Sequence, residues 1–224
     1  MTETGWPLIP REVLPPPVEV TKRTAQRHAA GARGGHQLPM FGAETIEPSP
    51  ADLAGLLAGP GRLGRMGGTA RVTVRVDAAW RVHVLVTELV TRGLTATWAP
   101  VEEVPEEETP LFDVRTAYSQ RLNSLARAWP TAAAQLFLSG PRLRLWVAAA
   151  GEPQPGGYAL GLGPDEGRQP VEAALVRAGL AGRMSDDGRF YLINGRRRVR
   201  RLAELVGERP TAAPHEAWPG GAAA

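Results

Sequence analysis

Arginine dominates the side chains of this sequence that could hold a ligand. Lys22 is the only lysine among 26 basic residues. The run Arg196-Arg197-Arg198-Val199-Arg200-Arg201 sets five guanidinium groups in six positions. Arg71 and Arg75 flank Thr73 in alternation with Val72, Val74 and Val76, and Arg142 and Arg144 alternate with Leu143, Leu145 and Val147. A guanidinium presents a planar fork of donors that matches phosphate oxygens and the guanine edge, and even spacing on a strand sends such groups to one side. The chemistry indicated is recognition of a nucleic-acid backbone. The bland reading of the same residues is a set of solvated polar faces in a composition rich in arginine, alanine, glycine and proline. Both readings stand at this point.

Other chemistries find less support. Cysteine is absent, which removes disulfides, thiolate metal sites and cysteine nucleophiles. His28, His36, His83 and His215 offer no pair one helical turn apart, so no zinc site is expected, and His83 reads as a packed helix residue. The acidic run at Glu102–Glu108 lacks the Asp/Asn/Gly alternation of a calcium loop, and the glycines at 59–61 and 64–68 lack the lysine of a nucleotide loop. No Ser-His-Asp set can be assembled. The expectation is therefore no catalytic residue, no metal, no cofactor and no enzyme. Trp146, beside Arg142 and Arg144, is the one tryptophan read as a base-stacking candidate.

The elements that must position these arginines follow from periodicity. The chain has 224 residues, 43% of them hydrophobic and 22% charged, enough for an ordinary core. Residues 1–50 carry Pro7, Pro10, Pro15, Pro16 and Pro17 and read as a flexible, basic arm; residues 208–224, with Pro210, Pro214 and Pro219, read as a disordered tail. No run of apolar residues is long enough to span a membrane and the N-terminus has no export signal, so a cytoplasmic protein is expected. Between the tails, a helix is expected over 51–63, a strand over 70–76, a helix over 78–92 stopped by Gly93, strands over 95–101 and 111–117, and a helix over 119–134. A strand over 142–149, a strand over 158–162, a helix over 170–178 stopped by Gly179, a strand over 189–193 and a helix over 196–206 complete the set.

The order repeats. Leu89-Val90-Thr91-Arg92-Gly93-Leu94 matches Leu175-Val176-Arg177-Ala178-Gly179-Leu180, Phe112 matches Phe190, and the segment 121–126 matches 198–203. Two tandem pseudo-symmetric α/β repeats, 51–118 and 119–207, then form one α+β domain with disordered N- and C-terminal tails. This organisation, together with Asp52-Leu53-Ala54-Gly55-Leu56-Leu57-Ala58-Gly59, resembles the LAGLIDADG homing-endonuclease family in a degenerate form. It is distantly similar to that family's non-cleaving, WhiA-like members, though no helix-turn-helix accompanies it. The segment Asn123–Trp129 is read as the counterpart of the signature helix. The resemblance implies a carboxylate at the end of each signature helix to hold a divalent metal over the scissile phosphates. The matching positions carry Gly59, Pro60 and Gly61, and then Trp129, Pro130, Thr131 and Ala132, none of them acidic. What the resemblance leaves is DNA docking on the solvent face of a saddle-shaped sheet by Arg71, Arg75, Arg142 and Arg144, joined by Arg196, Arg197, Arg198, Arg200 and Arg201.

One peptide in the arm points elsewhere. Gln37-Leu38-Pro39-Met40-Phe41 resembles the bacterial sliding-clamp-binding peptide, in which a glutamine hydrogen-bonds while Leu38, Met40 and Phe41 would fill an apolar groove. Folding back of these residues on the chain's own core is the alternative. The functional expectation is a non-catalytic DNA-binding protein tethered to the replication or repair clamp. The competing expectation is a protein-interaction scaffold acting through the Pro-rich arm and the acidic loop.

Overall fold

The computed structural model describes residues 42–101, 110–129, 136–163 and 168–221. Ser49 opens the first helical element. Its Oγ accepts from the Ala51 N–H at 3.3 Å, and the Asp52 carboxylate accepts from the Ser49 N–H at 2.8 Å, a reciprocal cap. The 3-10 turn Pro50–Leu53 then passes into α1 (Ala54–Ala58). A hairpin follows, β1 (Arg62–Met66) and β2 (Thr69–Val76), then α2 (Ala79–Thr91), β3 (Ala96–Pro100) and β4 (Phe112–Thr116). A second 3-10 turn, Gln120–Leu122, leads into α3 (Asn123–Ala128).

The second half repeats this order: α4 (Gly140–Ala150), β5 (Gly151–Gln154), β6 (Gly157–Gly161), α5 (Arg168–Arg177), β7 (Arg183–Met184), β8 (Phe190–Asn194) and α6 (Arg196–Val206). Both sheets are antiparallel, with strand orders β1-β2-β4-β3 and β5-β6-β8-β7. The duplication read from the sequence is visible in detail where α2 and α5 end. Gly93 (φ 69°) and Gly179 (φ 81°) both take the left-handed conformation that glycine adopts without penalty. In each case the glycine N–H bonds three residues back, to Val90 and Val176, and the next leucine reaches five residues back, to Leu89 and Leu175.

The halves meet through α1 and α4. A Cβ on Gly55 would lie 1.9 Å from the Arg142 carbonyl oxygen, and one on Gly59 would lie 2.4 Å from Trp146 Nε1. The two helices thus pack backbone to backbone. The core fans out on both sides of this seam. Val72, Val74 and Val76 of β2 share the core with Val82, Leu85 and Leu89 of α2 in one half, while Tyr158, Leu160, Tyr191 and Ile193 face Val199 and Leu202 of α6 in the other.

Several expectations are corrected here. Residues 142–149 form no strand: they belong to helix α4, in which Leu143, Leu145, Trp146, Val147 and Ala148 are all fully buried. A helix surrounded on all sides is apolar on all sides, and its sequence then imitates strand alternation. The counterpart of α1 is therefore α4, and α3 closes the first half instead of opening the second. The helix expected over 119–134 shrinks to α3, because Trp129 precedes Pro130 and is pushed to extended backbone (φ −85°, ψ 135°).

The C-terminal segment is not a free tail. Trp218 and Ala213 are buried, Trp218 Nε1–H donates to the Gly207 carbonyl at 3.3 Å, and Tyr158 Oη–H donates to the Ala217 carbonyl at 2.8 Å. The end of the arm is docked as well: the Ala43 N–H donates to the Leu205 carbonyl at 2.8 Å, and Glu44 accepts from the Glu208 N–H at 2.7 Å. Gln37, Leu38, Met40, Phe41 and the acidic run Glu102–Glu108 lie outside the described residues.

Candidate nucleic-acid interface

The first sheet carries the site. In β2, Ala70, Val72, Val74 and Val76 are buried, so Arg71, Thr73 and Arg75 project from the opposite face. Register then recruits neighbours that periodicity alone could not assign. Directly opposed residues share a face, and Thr73 lies between Arg62 of β1 and Arg115 of β4, while Arg75 lies opposite Asp113. Four arginines, Arg62, Arg71, Arg75 and Arg115, thus occupy one sheet face with one carboxylate among them.

Each is held differently. Arg75 donates through Nε to Asp113 Oδ1 at 2.8 Å and through Nη2 to Oδ2 at 3.2 Å. The hydrogen bond from Arg75, with the charges of Arg115 and Arg62 nearby, keeps the Asp113 carboxyl below the usual carboxylate range. Arg71 lies over the Tyr118 ring with its guanidinium carbon 4.7 Å from the centroid, which orients the head group without neutralising it. Arg62 and Arg115 are exposed, and their side chains make no hydrogen bond or ion pair among the described residues. Beside the end of α1, Pro60, Arg62, Thr73, Arg75, Asp113 and Leu162 line a small open cleft on this face.

The corresponding face of the second sheet is unlike it. There β6 carries Gly157, Ala159 and Gly161, flanked across the ladder by Phe190, Leu192 and Asn194 of β8 and by Glu152 and Gln154 of β5. Arg183 of the edge strand β7 is the one cation that register puts on this face among the described strands.

The remaining arginines expected on a sheet face are elsewhere. Arg142 donates to the Phe137 carbonyl at 2.7 Å. Arg144 donates through Nε to Glu88 Oε1 at 2.7 Å and through Nη1 to the carbonyls of Val206 (2.8 Å) and Glu208 (2.6 Å), with its guanidinium over the Trp218 ring. It belongs to a buried chain of charges that crosses the seam: Asp52 Oδ2 with Arg92 Nε (3.1 Å), Arg92 Nη1 with Glu88 Oε2 (2.7 Å), and Glu88 with Arg144. Burial pushes the Glu88 carboxyl up, but the Arg144 charge and the hydrogen bonds from Arg144 and Arg92 outweigh it and hold it low. Trp146 stacks on no surface: it is fully buried, with Nε1–H donating to the Gly161 carbonyl at 2.7 Å. Arg196, Arg197, Arg198, Arg200 and Arg201 lie on α6, which packs on α4 and on the inner side of β6 and β8, away from the first sheet's arginine face.

The ends of the signature helices decide whether a divalent metal fits. Helix α1 ends in Ala58, Gly59, Pro60 and Gly61, and α4, which replaces Trp129–Ala132 as the second such end, finishes in Ala148, Ala149, Ala150 and Gly151. None of these positions is a carboxylate; the acids nearby are Glu152, directly after Gly151, and Asp77, which Arg81 engages, and the described residues contain no group of three or more His, Asp or Glu able to hold a metal ion. The donor set does not fit a hard cation there. A cation of the protein's own caps α4 instead. Arg81 is buried, pairs with Asp77 at 2.9 Å, and donates to the carbonyls of Val147 (3.4 Å), Ala148 (3.2 Å) and Gly151 (2.8 Å). A guanidinium there satisfies carbonyls that the helix leaves open and complements its negative end.

No protein-family model and no curated protein matches this chain. Among solved structures, the homing endonuclease I-WcaI bound to its DNA recognition sequence is similar at 9% identity, over 74% of this chain and 84% of that one, with a TM-score of 0.53. I-DmoI in complex with DNA and Mn is 13% identical over 72% of this chain and 97% of its own, with a TM-score of 0.43. The likeness to I-WcaI establishes the fold as the expected LAGLIDADG-like homing-endonuclease fold, of the α+β class with two tandem halves. It also overturns one expectation. The sequence leads to the expectation of no enzyme, whereas the solved protein that shares its fold is an endonuclease, so the fold is that of an enzyme. No helix among the described residues is long and apolar enough to cross a membrane.

Proposed function

We propose that this chain is a duplex-DNA-binding protein that seats the nucleic acid on the outer face of its first sheet. The observation that carries the reading is the convergence of Arg62, Arg71, Arg75 and Arg115 on one face, with the polar Thr73 at its centre, in a fold shared with an endonuclease solved on DNA. Arg62 and Arg115 flank Thr73 from the two neighbouring strands and, with Arg71 of β2, supply the phosphate contacts. Arg75, clamped by both oxygens of Asp113, is held in a fixed plane, which suits a directional contact. Asp113 trims the local charge, so the face holds an excess of three cations rather than four.

A fluorescence-anisotropy titration of labelled duplex at two salt concentrations tests the reading. Affinity is expected to fall steeply as salt rises, because bound phosphates release counterions. Micromolar protein that shows no salt-sensitive binding contradicts it. The fold being that of an endonuclease, strand cleavage is assayed on the same samples, with Asp113→Asn and Glu152→Gln as the carboxylate variants of the sheet surface.

Recruitment to a sliding clamp through Gln37, Leu38, Met40 and Phe41 is the second part of the proposal, and the peptide sequence supports it. Purified clamp is expected to retain the full-length chain and to release the Leu38→Ala/Phe41→Ala variant. Equal retention of both removes this part and leaves the DNA reading untouched.

A further inference from the structure

Helix α6 carries the run of five arginines in six positions, and the sheet-face reading does not use it. Val199, Leu202, Leu205 and Val206 are buried against α4, β6 and β8, so the other side of the helix faces away from the strands. That side carries the arginines. Arg196, Arg197 and Arg200 are exposed, and their side chains make no ion pair or hydrogen bond among the described residues; Arg198 donates to the Asn194 carbonyl at 3.1 Å, and Arg201 approaches Glu204 at 3.5 Å. Together with Gly179 and Gly195 they border a cleft of about 900 Å³ between α6 and the end of α5.

Folding alone works against this arrangement. Arg196 and Arg200, and Arg197 and Arg201, are like-charged pairs four residues apart, each destabilising to an isolated helix. Arg196, Arg197 and Arg198 stand in the first turn of the helix, where the backbone dipole already favours anions, and Glu204 is the helix's one acid. A bound polyanion would relieve both effects. The surface lacks what a lipid bilayer requires, since every large apolar residue of α6 is turned inward. Its position matters as much as its charge. The helices pack on the inner side of the sheets, and the arginines of the first sheet project from the outer side, so a duplex seated on that sheet leaves α6 uncovered.

We propose that Arg196, Arg197, Arg200 and Arg201, with the cleft beside Gly179, form a second site for a nucleic-acid backbone, so that one chain holds two duplex segments at once. This rests on the reading of the first sheet as a DNA-binding face.

A two-duplex capture assay tests it. The full chain is loaded on a bead-bound duplex, washed, and offered a second, labelled duplex of unrelated sequence, with light scattering recording the protein's mass. The wild type is expected to capture the label. Arg196→Ala/Arg197→Ala/Arg200→Ala is expected to stay on the bead and to lose capture at least about tenfold, as fits the loss of several phosphate contacts. Alanine at these exposed helical positions is favourable to the helix, so the variant folds. Failure of the wild type to capture, or capture by the triple variant equal to wild type, overturns the second site while the sheet-face reading stands. If instead the α6 variant leaves the bead while Arg62→Ala/Arg71→Ala/Arg115→Ala remains bound, the sheet-face reading itself is wrong.

Discussion

Arginine does three separate jobs in this chain, and neighbours decide which. Arg62 and Arg115 project from a sheet face without a direct ion pair among the described residues, Arg81 closes the end of a helix, and Arg92 and Arg144 are locked into a buried network with Asp52 and Glu88. The buried network makes a prediction at this scale. Glu88 accepts from Arg92, which Asp52 also pairs, and from Arg144, whose ion pair among the described residues is with Glu88, so Glu88→Gln leaves buried positive charge and is expected to cost about 3 kcal/mol in denaturant unfolding. The same residue sets a pH dependence. Its folded pKa lies below the ordinary 4.5, so its contribution is complete above that value and is lost as pH falls through the folded pKa; Asp113 acts in the same sense. Wild type is therefore expected to lose stability below about pH 4.5, and Glu88→Gln to show a shallower acid limb in the same unfolding series.

At the scale of elements, legibility followed burial geometry. Strand β2 was readable because one face is buried and one is wet, which produces strict alternation and locates Arg71 and Arg75 correctly. The ends of α2 and α5 were readable because their glycines are required by backbone conformation. Helix α4 was not, since burial on every side erases the helical stripe, and with it Arg142, Arg144 and Trp146 were assigned to a surface they do not occupy. Arg62 and Arg115 were missed for another reason: only cross-strand register, which a single sequence does not encode, brings them beside Thr73. The contact of α1 with α4 gives the test at this level. Gly55→Ala pushes a methyl to 1.9 Å from the Arg142 carbonyl, so it is expected to lower stability by at least about 3 kcal/mol, measured by chemical denaturation.

The whole molecule is a duplicated fold whose two sheets carry different side chains on corresponding faces. One sheet face is cationic, the other mostly small and apolar, and the C-terminal segment ties the helical side together through Trp218, whose truncation to alanine is expected to cost about 3 kcal/mol and to raise proteolysis after residue 207. This asymmetry makes the claim about DNA specific: affinity should reside in one half's sheet. The direct measurement is the slope of log affinity against log salt for duplex DNA, compared between wild type and Arg62→Ala/Arg71→Ala/Arg115→Ala. Three lost phosphate contacts predict a slope shallower by about 2.7 and weaker binding at low salt. An unchanged slope with unchanged affinity would contradict the assignment of DNA to this face.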